Sequence, residues 1–517
     1  RIPFALMPDG TYANETIPSF RGARITLAGA PTLRLRDGST RVFGQLAVGV
    51  TPPTYQLTEI ADRTGNRVRI ALDFTQQAPI ALLDDAGRRL QIGQIQFTYG
   101  GPRLIESIQD PIGRQVRYEY DAATRLVAVT DPAGGITRYT YDARGNLTTI
   151  TDPRGITFLT NEYGPSGRVL RQVQADGSEW RFAYTLAGAQ VTGPECPGPT
   201  CPDVESVDTV AQGYAFLRGT VLATAVTDPR GNTTVHRFNN FGSLIERVDA
   251  LGQSTRFERA DGTNLLLSTT DPLGRVTRFT YDANGNVISI TDPADHGRTF
   301  TYEPTFSQVT SMTNPLGNVT RFEYDGRGNL TASVDPLGNR TTMSYNAFGQ
   351  PVSTTDPLRN TTAFAYDTVG NLTTVTDPLG NITTRTYDAV SRLIGQTDPR
   401  GLATRFAYDP LNRLVQSTDA RAGATDFTYD GNGNLLTVTD GRGNTTSHSY
   451  DRMDRLASRT DPVRATETFA YDLGGNLIQH IDRKAQEATF SYDALNRRTA
   501  ARYTDGTTTT FAHDATG

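Results

Sequence analysis

One interval constrains this chain more than any other feature of its sequence. Tyr281, Tyr302, Tyr324, Tyr345, Tyr366, Tyr387, Tyr408, Tyr429, Tyr450, Tyr471, Tyr492 and His513 follow one another at 21 residues, with a single step of 22 between Tyr302 and Tyr324. A fixed period of this size marks a repeat architecture, in which one supersecondary unit cannot bury its apolar face alone and stacks on its neighbours.

Residues 360–398 show what the unit is made of. Thr361 to Tyr366 is rich in threonine and aromatic residues, which suits a strand. Asp367-Thr368-Val369-Gly370-Asn371 then supplies turn chemistry: an aspartate that bonds its own backbone and a glycine for a positive φ. Leu372 to Thr376 reads as a second strand. Asp377-Pro378-Leu379-Gly380-Asn381 is a second turn, with proline pre-setting φ. Two strands and two tight turns per period predict an all-β chain, and no window sustains a 3.6-residue apolar period. Consecutive hairpins should pair into one long antiparallel ribbon, about 10 Å per repeat and on the order of 200 Å in all. Because strands twist with a fixed hand, the ribbon must coil, close or stack.

The first strands alternate cleanly: Thr320, Phe322 and Tyr324 share one face, Arg321 and Glu323 the other. Rings one period apart should form ladders along the sheet. The second strands do not alternate, since Leu147 and Ile150, or Leu372 and Val375, stand three apart. Either both faces are partly covered or a bulge resets the alternation.

The 517 residues carry a net charge of −5, so general affinity for nucleic acid is not expected. All but one of the 50 basic residues are arginine, the exception being Lys484, and Arg–Asp ladders on the sheet faces are the expected use of them. No apolar run is long enough for a helical membrane span. The chain opens at Arg1 without a signal pattern and stops inside a turn at Gly517, which reads as a segment of a longer polypeptide.

Five regions are expected: a cap or edge segment over 1–30, degenerate β-repeats over 31–103, clear repeats over 104–184 marked by Tyr120 and Tyr141, a repeat with an inserted loop over 185–225, and repeats again over 226–517. The loop carries Cys196 and Cys201 among prolines that cannot join a ladder. These are the only cysteines, placed for a local disulfide or left as free thiols. Asp430-Gly431-Asn432-Gly433-Asn434 and Asp282-Ala283-Asn284-Gly285-Asn286 mimic half a calcium loop, but Gly441 and Pro293 stand where its last acid belongs, and the turn needs the same residues anyway. His236, His296, His448, His480 and His513 fit no metal or nucleophile signature. His513 takes the place of a repeat tyrosine, which points to packing. Trp180, beside Phe182 and Tyr184, reads as a sheet residue. No cofactor, metal or catalytic residue is expected.

The units Tyr141-Asp142-Ala143-Arg144-Gly145-Asn146-Leu147, Tyr366 to Leu372 and Thr376 to Asn381 resemble the RHS/YD-repeat family, over most of residues 104–517. The resemblance implies a β-ribbon spiralling into a hollow shell or tube, a bacterial exported or cell-surface location, and a non-enzymatic scaffold that encloses or presents a toxin-type polypeptide cargo. The self-cleaving core with paired Asp-Pro-x-Gly motifs that follows the repeats in shell-type toxins is not found here. The alternative is a subunit of an extracellular filament or adhesive fibre, in which copies join through open β-sheet edges.

Overall fold

The computed structural model describes residues 5–7, 11–14, 23–27, 30–35, 39–45, 55–64, 66–73, 78–84, 94–99, 104–186, 221–239, 242–261 and 263–516. Cys196 and Cys201 lie outside them. The described residues contain 45 strands and no helix. Each strand pairs antiparallel with the next in sequence, from Ala5–Leu6 through Tyr12–Asn14 and Ala23–Thr26 onward, so that the chain is one uninterrupted meander.

The two turns of each repeat have the same construction. At Asp142 the backbone N–H bonds Asn146 O at 3.0 Å, while Oδ1 accepts the N–H groups of Arg144 and Asn146 at 2.9 Å each. The fourth residue is left-handed, Gly145 at φ 85°, a conformation that costs other L-residues about 1–2 kcal/mol. At Asp377 the same bonds recur to Leu379 and Asn381. The turn aspartates are therefore acceptors for backbone N–H groups before they are charges.

A bulge resolves the irregular second strands. Tyr141 lies opposite Leu147 and Thr140 opposite Thr149, with one extra residue in the second strand; Tyr139 then meets Ile150. Tyr139 and Tyr141 share a face, so Leu147 and Ile150 share it too. The same shift occurs beside Tyr324, Tyr366 and Tyr429. It leaves the carbonyl of the first residue of the second strand outside the ladder, and the next repeat satisfies it. Tyr141 Oη donates to Leu126 O at 2.7 Å, a step of 15 residues. Tyr281, Tyr302, Tyr345, Tyr408 and Tyr492 do the same at 2.6–2.8 Å. His513 Nε2 donates to Arg498 O at 2.8 Å, and Arg259 Nε to Leu244 O at 3.0 Å, each across the same 15 residues.

Arginines are placed differently from the face ladders expected of them. Arg125, Arg392, Arg413 and Arg455 sit at the last position of a turn, pair with the aspartate four residues back, and reach the main-chain oxygen of the next turn's aspartate at 2.8–3.3 Å. Each guanidinium also lies 4.9–5.3 Å from the ring of the next repeat tyrosine. Aspartate is used up by the turns, and the ion pairs on the open face are Arg–Glu instead, as in Arg171 with Glu162 and Glu179.

The sheet is one layer thick. Among the described residues the fully buried apolar side chains are all alanines, such as Ala128, Ala332 and Ala501. The accessible surface is 30379 Å², against about 18,500 Å² for a globular monomer of this mass. A core of the ordinary kind is absent from the described residues because no second layer covers either face.

Candidate functional site: the seam between successive winds

Because every strand crosses the ribbon, turns alternate between its two margins. One margin carries turns of the Asp377–Asn381 type and is here called the Pro edge; the other carries turns of the Asp367–Asn371 type, the Tyr edge. Bonds between residues far apart in sequence join one margin to the other. Arg154 on the Pro edge pairs with Asp430 at 3.2 Å and Asp454 at 2.7 Å on the Tyr edge. Arg455 pairs with Asp176 at 3.1 Å. Arg114 donates to Pro410 O at 3.0 Å, and Arg230 to Asp493 O at 2.9 Å and Asn496 Oδ1 at 2.7 Å. Arg275 reaches Thr516 Oγ1 at 3.2 Å, and Thr64 reaches Phe348 O at 3.5 Å.

The sequence separation of these contacts ranges from 241 to 298 residues, yet the number of described strands between partners is constant at 23 or 25. An odd number is what a coil requires, since it sets a turn of one margin against a turn of the other. The ribbon therefore coils so that the Pro edge of residues 62–275 lies on the Tyr edge of residues 346–516, with about 110 Å of ribbon per wind.

The seam has its own chemistry. Asp152 is the most buried acid in it, with a side chain 2% exposed, held by Arg154 at 2.6 Å and by Asn432 from the opposite wind at 2.8 Å. Burial raises its carboxyl, but the N–H groups of Ile156 and Arg154 and the Arg154 charge outweigh that and hold it below the usual carboxylate range. Asn412, Asp454 and Asn496 stand in the left-handed turn position that glycine fills elsewhere, at φ 60–65°. Their side-chain oxygens receive Arg114, Arg154 and Arg230 respectively. Charge-assisted bonds offset the local backbone cost. Gly431 and Gly474 allow close approach: a Cβ on Gly474 would stand 2.7 Å from Arg230 Cδ, and one on Gly431 3.3 Å from Pro153. Apolar side chains also come from both winds at one place in the seam, where Ile108, Pro111 and Val116 line a cavity with Val390, Pro410 and Leu411.

Of the residues singled out from sequence, the repeat tyrosines serve the ribbon itself, on margins inside and outside the seam alike. Tyr120, Tyr324, Tyr366, Tyr387, Tyr429, Tyr450 and Tyr471 each donate to a carbonyl 15 residues back at 2.8–3.1 Å. The half-calcium loop Asp430–Asn434 is engaged across the seam with Arg154 and Asp152, and no group of metal-ligating side chains occurs among the described residues. Trp180 is a half-buried strand residue opposite Gln172. Of the histidines, His296 lies at an exposed turn beside Asp292, and His236 opposite Arg247.

His448 and His480 belong to a cluster that sequence reasoning missed. His448 is opposite Arg459, Arg459 opposite Glu467, and His480 stacks on Phe469 at 4.8 Å. Glu467 accepts Arg459, His480 at 3.3 Å and Arg483 at 3.4 Å. Burial raises its carboxyl, and those bonds more than reverse the effect. His448 stands where Phe427 and Phe469 stand in neighbouring repeats, a substitution of aromatic by polar residue that was the available signal. These residues form a hydrogen-bonded charge network on the tyrosine-bearing face, one carboxylate facing two arginines and a histidine.

The RHS Repeat family model matches residues 103–157, 260–296, 306–424, 429–466 and 471–508 in overlapping units, more than half of the chain. The chain belongs to the RHS-repeat family. No curated protein matches it. Among solved structures, this RHS-repeat chain is similar to the Photorhabdus luminescens Tc holotoxin pore, at 14% identity and a TM-score of 0.52 over 95% of this chain and 29% of that one. It also matches a TcdB2–TccC3 crystal structure at 15% identity and a TM-score of 0.33, over 94% of this chain and 34% of that one. The chain thus spans about a third of the length of the solved structures it matches, and the first of them supports the same all-β fold.

Proposed function

We propose that this RHS-repeat chain is a non-enzymatic scaffold, part of a shell wall that encloses or presents a polypeptide cargo of toxin type outside the cell that makes it. The observation that carries the reading is the single-layer coil: a ribbon sealed along one seam between successive winds while both faces stay open. A chain built for catalysis concentrates perturbed groups in a pocket. Here the lowered carboxyls are scattered among turns along the ribbon, as at Asp142, Asp356 and Asp440, where asparagine four residues on donates to them. The likeness to structures described as a Tc holotoxin pore supports the toxin association, and the family supports an exported location.

Cryo-electron imaging of the purified chain tests the wall, with the expected image a one-sheet rim around a low-density interior; a solid particle would overturn it. A reporter polypeptide fused after Gly517 tests the cargo. Resistance to proteinase K is expected while the wall is intact, and degradation at the rate of the free reporter would sink the cargo reading while leaving the fold untouched.

A further inference from the structure

Each Tyr-edge turn is separated from the next by a gap, and in five repeats a guanidinium fills it. Arg125, Arg168, Arg392, Arg413 and Arg455 end their turns and lie 4.9–5.8 Å from the rings of Tyr141, Tyr184, Tyr408, Tyr429 and Tyr471. Arg413 shows the arrangement in full. Its Nε donates to Asp409 Oδ2 at 2.6 Å and its Nη1 to Asp430 O at 2.8 Å, with the Tyr429 ring against the guanidinium. Where a turn ends in asparagine, other groups reach across. Asn434 donates to Asp454 at 2.6 Å and Asn476 to Asn496 at 2.7 Å, while Arg144 reaches Pro165 O at 3.0 Å and Arg327 Ala347 O at 2.7 Å.

The gap after Asn346–Gln350 is spanned by a neutral amide instead. Asn346 stands in the place of Asp409 and Gln350 in that of Arg413. Asn346 Nδ2 donates to Gln350 Oε1 at 2.8 Å, and Gln350 Nε2 to Gly370 O at 3.0 Å. A pocket of about 480 Å³ remains there, lined by Asn346, Phe348, Gln350, Phe364, Tyr366 and Asp367 with their neighbours. Asp367 O, the counterpart of Asp430 O, takes the turn bond from Gly370 N at 3.1 Å and no arginine. Pro351 stands in the place of Leu393 and Leu414, and the bond from Tyr366 Oη to its carbonyl is exposed where theirs are part-buried. The pocket thus keeps the tyrosine and the carbonyl that hold a guanidinium in other repeats, beside the Asp367 carboxylate, and lacks the guanidinium.

We infer that this pocket binds a guanidinium group brought by another molecule, either a free small molecule or an arginine side chain of a polypeptide. An aromatic face attracts a cation, and a planar guanidinium can stack there while donating along its edge to Asp367 O. A lysine ammonium is a poorer occupant, because it is compact and strongly hydrated and cannot do both in one plane. The inference rests on the repeat's own geometry and is independent of the cargo.

Saturation-transfer NMR on the full chain tests it, with arginine amide, citrulline amide and a blocked glycyl-arginyl-glycine peptide as probes. Arginine amide should receive saturation with a dissociation constant in the millimolar range. Citrulline amide, of nearly the same shape but uncharged, should bind roughly tenfold more weakly. Asn346→Asp together with Gln350→Arg gives the gap its own guanidinium and should abolish transfer with the circular dichroism unchanged. Tyr366→Leu, which removes the ring and leaves Asp367, should weaken binding roughly tenfold. Transfer to the peptide as well as to the amide would make polypeptide arginine the source, and transfer to the amide alone a free small molecule. Three results would overturn the inference: no transfer to either arginine probe, equal transfer to citrulline amide, or undiminished transfer in either folded variant.

Discussion

The Pro edge exists twice in this molecule, once beneath a neighbouring wind and once bare. Its turns are built from the same bonds in both places: Asp152 accepts the N–H groups of Arg154 and Ile156, and Asp377 those of Leu379 and Asn381, all at 2.8–2.9 Å. The residues between those bonds differ. At the third turn residue Arg154 and Arg230 reach across the covered edge, whereas leucine and exposed Arg400 occupy the free one. Folding of the ribbon and coiling of the ribbon are thus written in different positions of one repeat. The aspartate and tyrosine make the ribbon; the third and last turn residues and, at Asn412, Asp454 and Asn496, the left-handed one decide what each margin touches.

Acid should erase the distinction and has the largest expected effect. Turn aspartates on both edges are held below their ordinary range, Asp356 and Asp377 by asparagine side chains and Asp152 by backbone N–H groups despite burial. A carboxyl depressed in the folded state contributes stability above its unfolded pKa and loses it as pH falls through the folded value. Loss of the sheet is therefore expected to begin below about pH 4 and to involve covered and free turns together. Far-UV circular dichroism across pH 7 to 2 checks this; a transition centred near pH 6 would assign the sensitivity to histidines such as His448 instead.

The next effect separates the two edges. Arg154→Ala leaves Asp152 buried with its main cation gone, and breaking a buried pair from one side costs about 3–5 kcal/mol. Arg400→Ala removes an exposed pair with Asp398 at the equivalent turn residue of the free edge, worth about 0–1 kcal/mol. Hydrogen exchange should show deprotection at turns 152–156 and 430–434 in the first variant, and little change in the second. Equal responses would mean that the seam does not hold the winds together.

A smaller effect concerns the ribbon itself and should ignore the edges. Tyr429→Phe removes the hydroxyl that serves Leu414 O, at a cost of about 1–2 kcal/mol for a carbonyl left beside a bulge. Tyr302→Phe, in the first part of the coil, should cost the same within error by thermal shift, since its bond to Val287 O is equivalent. A large difference between them would show that the tyrosines also take part in the seam.

These contrasts explain what was legible beforehand. The strands, the two turns and the period were readable because each rests on bonds within about 15 residues, such as Tyr141 to Leu126. The odd spacing of Leu147 and Ile150 signalled the bulge without deciding it, because only the cross-strand partners Tyr139 and Tyr141 show which residue is extra. The abundance of Arg and Asp points to ladders on the faces, because composition does not reveal that the turn backbone claims the aspartates. The seam was out of reach: its partners are 23 or 25 strands apart, and that number depends on the curvature accumulated over a whole wind. The one local trace of it was the unbroken run Phe348, Val369, Val390 and Leu411 at a turn position that holds Arg144, Ser166, Asn284, Thr305 and Arg327 earlier in the chain.

The finest test uses one substitution at two places. Arg359 on the free Pro edge and Asn412 on the covered Tyr edge both occupy the left-handed turn position, at φ 70° and 65°. Glycine relieves backbone strain of about 1–2 kcal/mol at such a site but adds chain entropy to the unfolded state worth about 0.4–1 kcal/mol. Arg359→Gly, which crosses no seam, should therefore leave a net gain of a few tenths to about 1 kcal/mol. Asn412→Gly releases the same strain but removes the acceptor that Arg114 reaches from the other wind and Arg392 from the preceding turn of the same margin, and bonds to charged groups contribute about 1.5–3 kcal/mol each when well formed. The expected shifts in melting temperature have opposite signs. Two shifts of the same sign would mean that the left-handed position is governed by local strain alone, and that asparagine at the seam is there for the turn and not for the neighbouring wind.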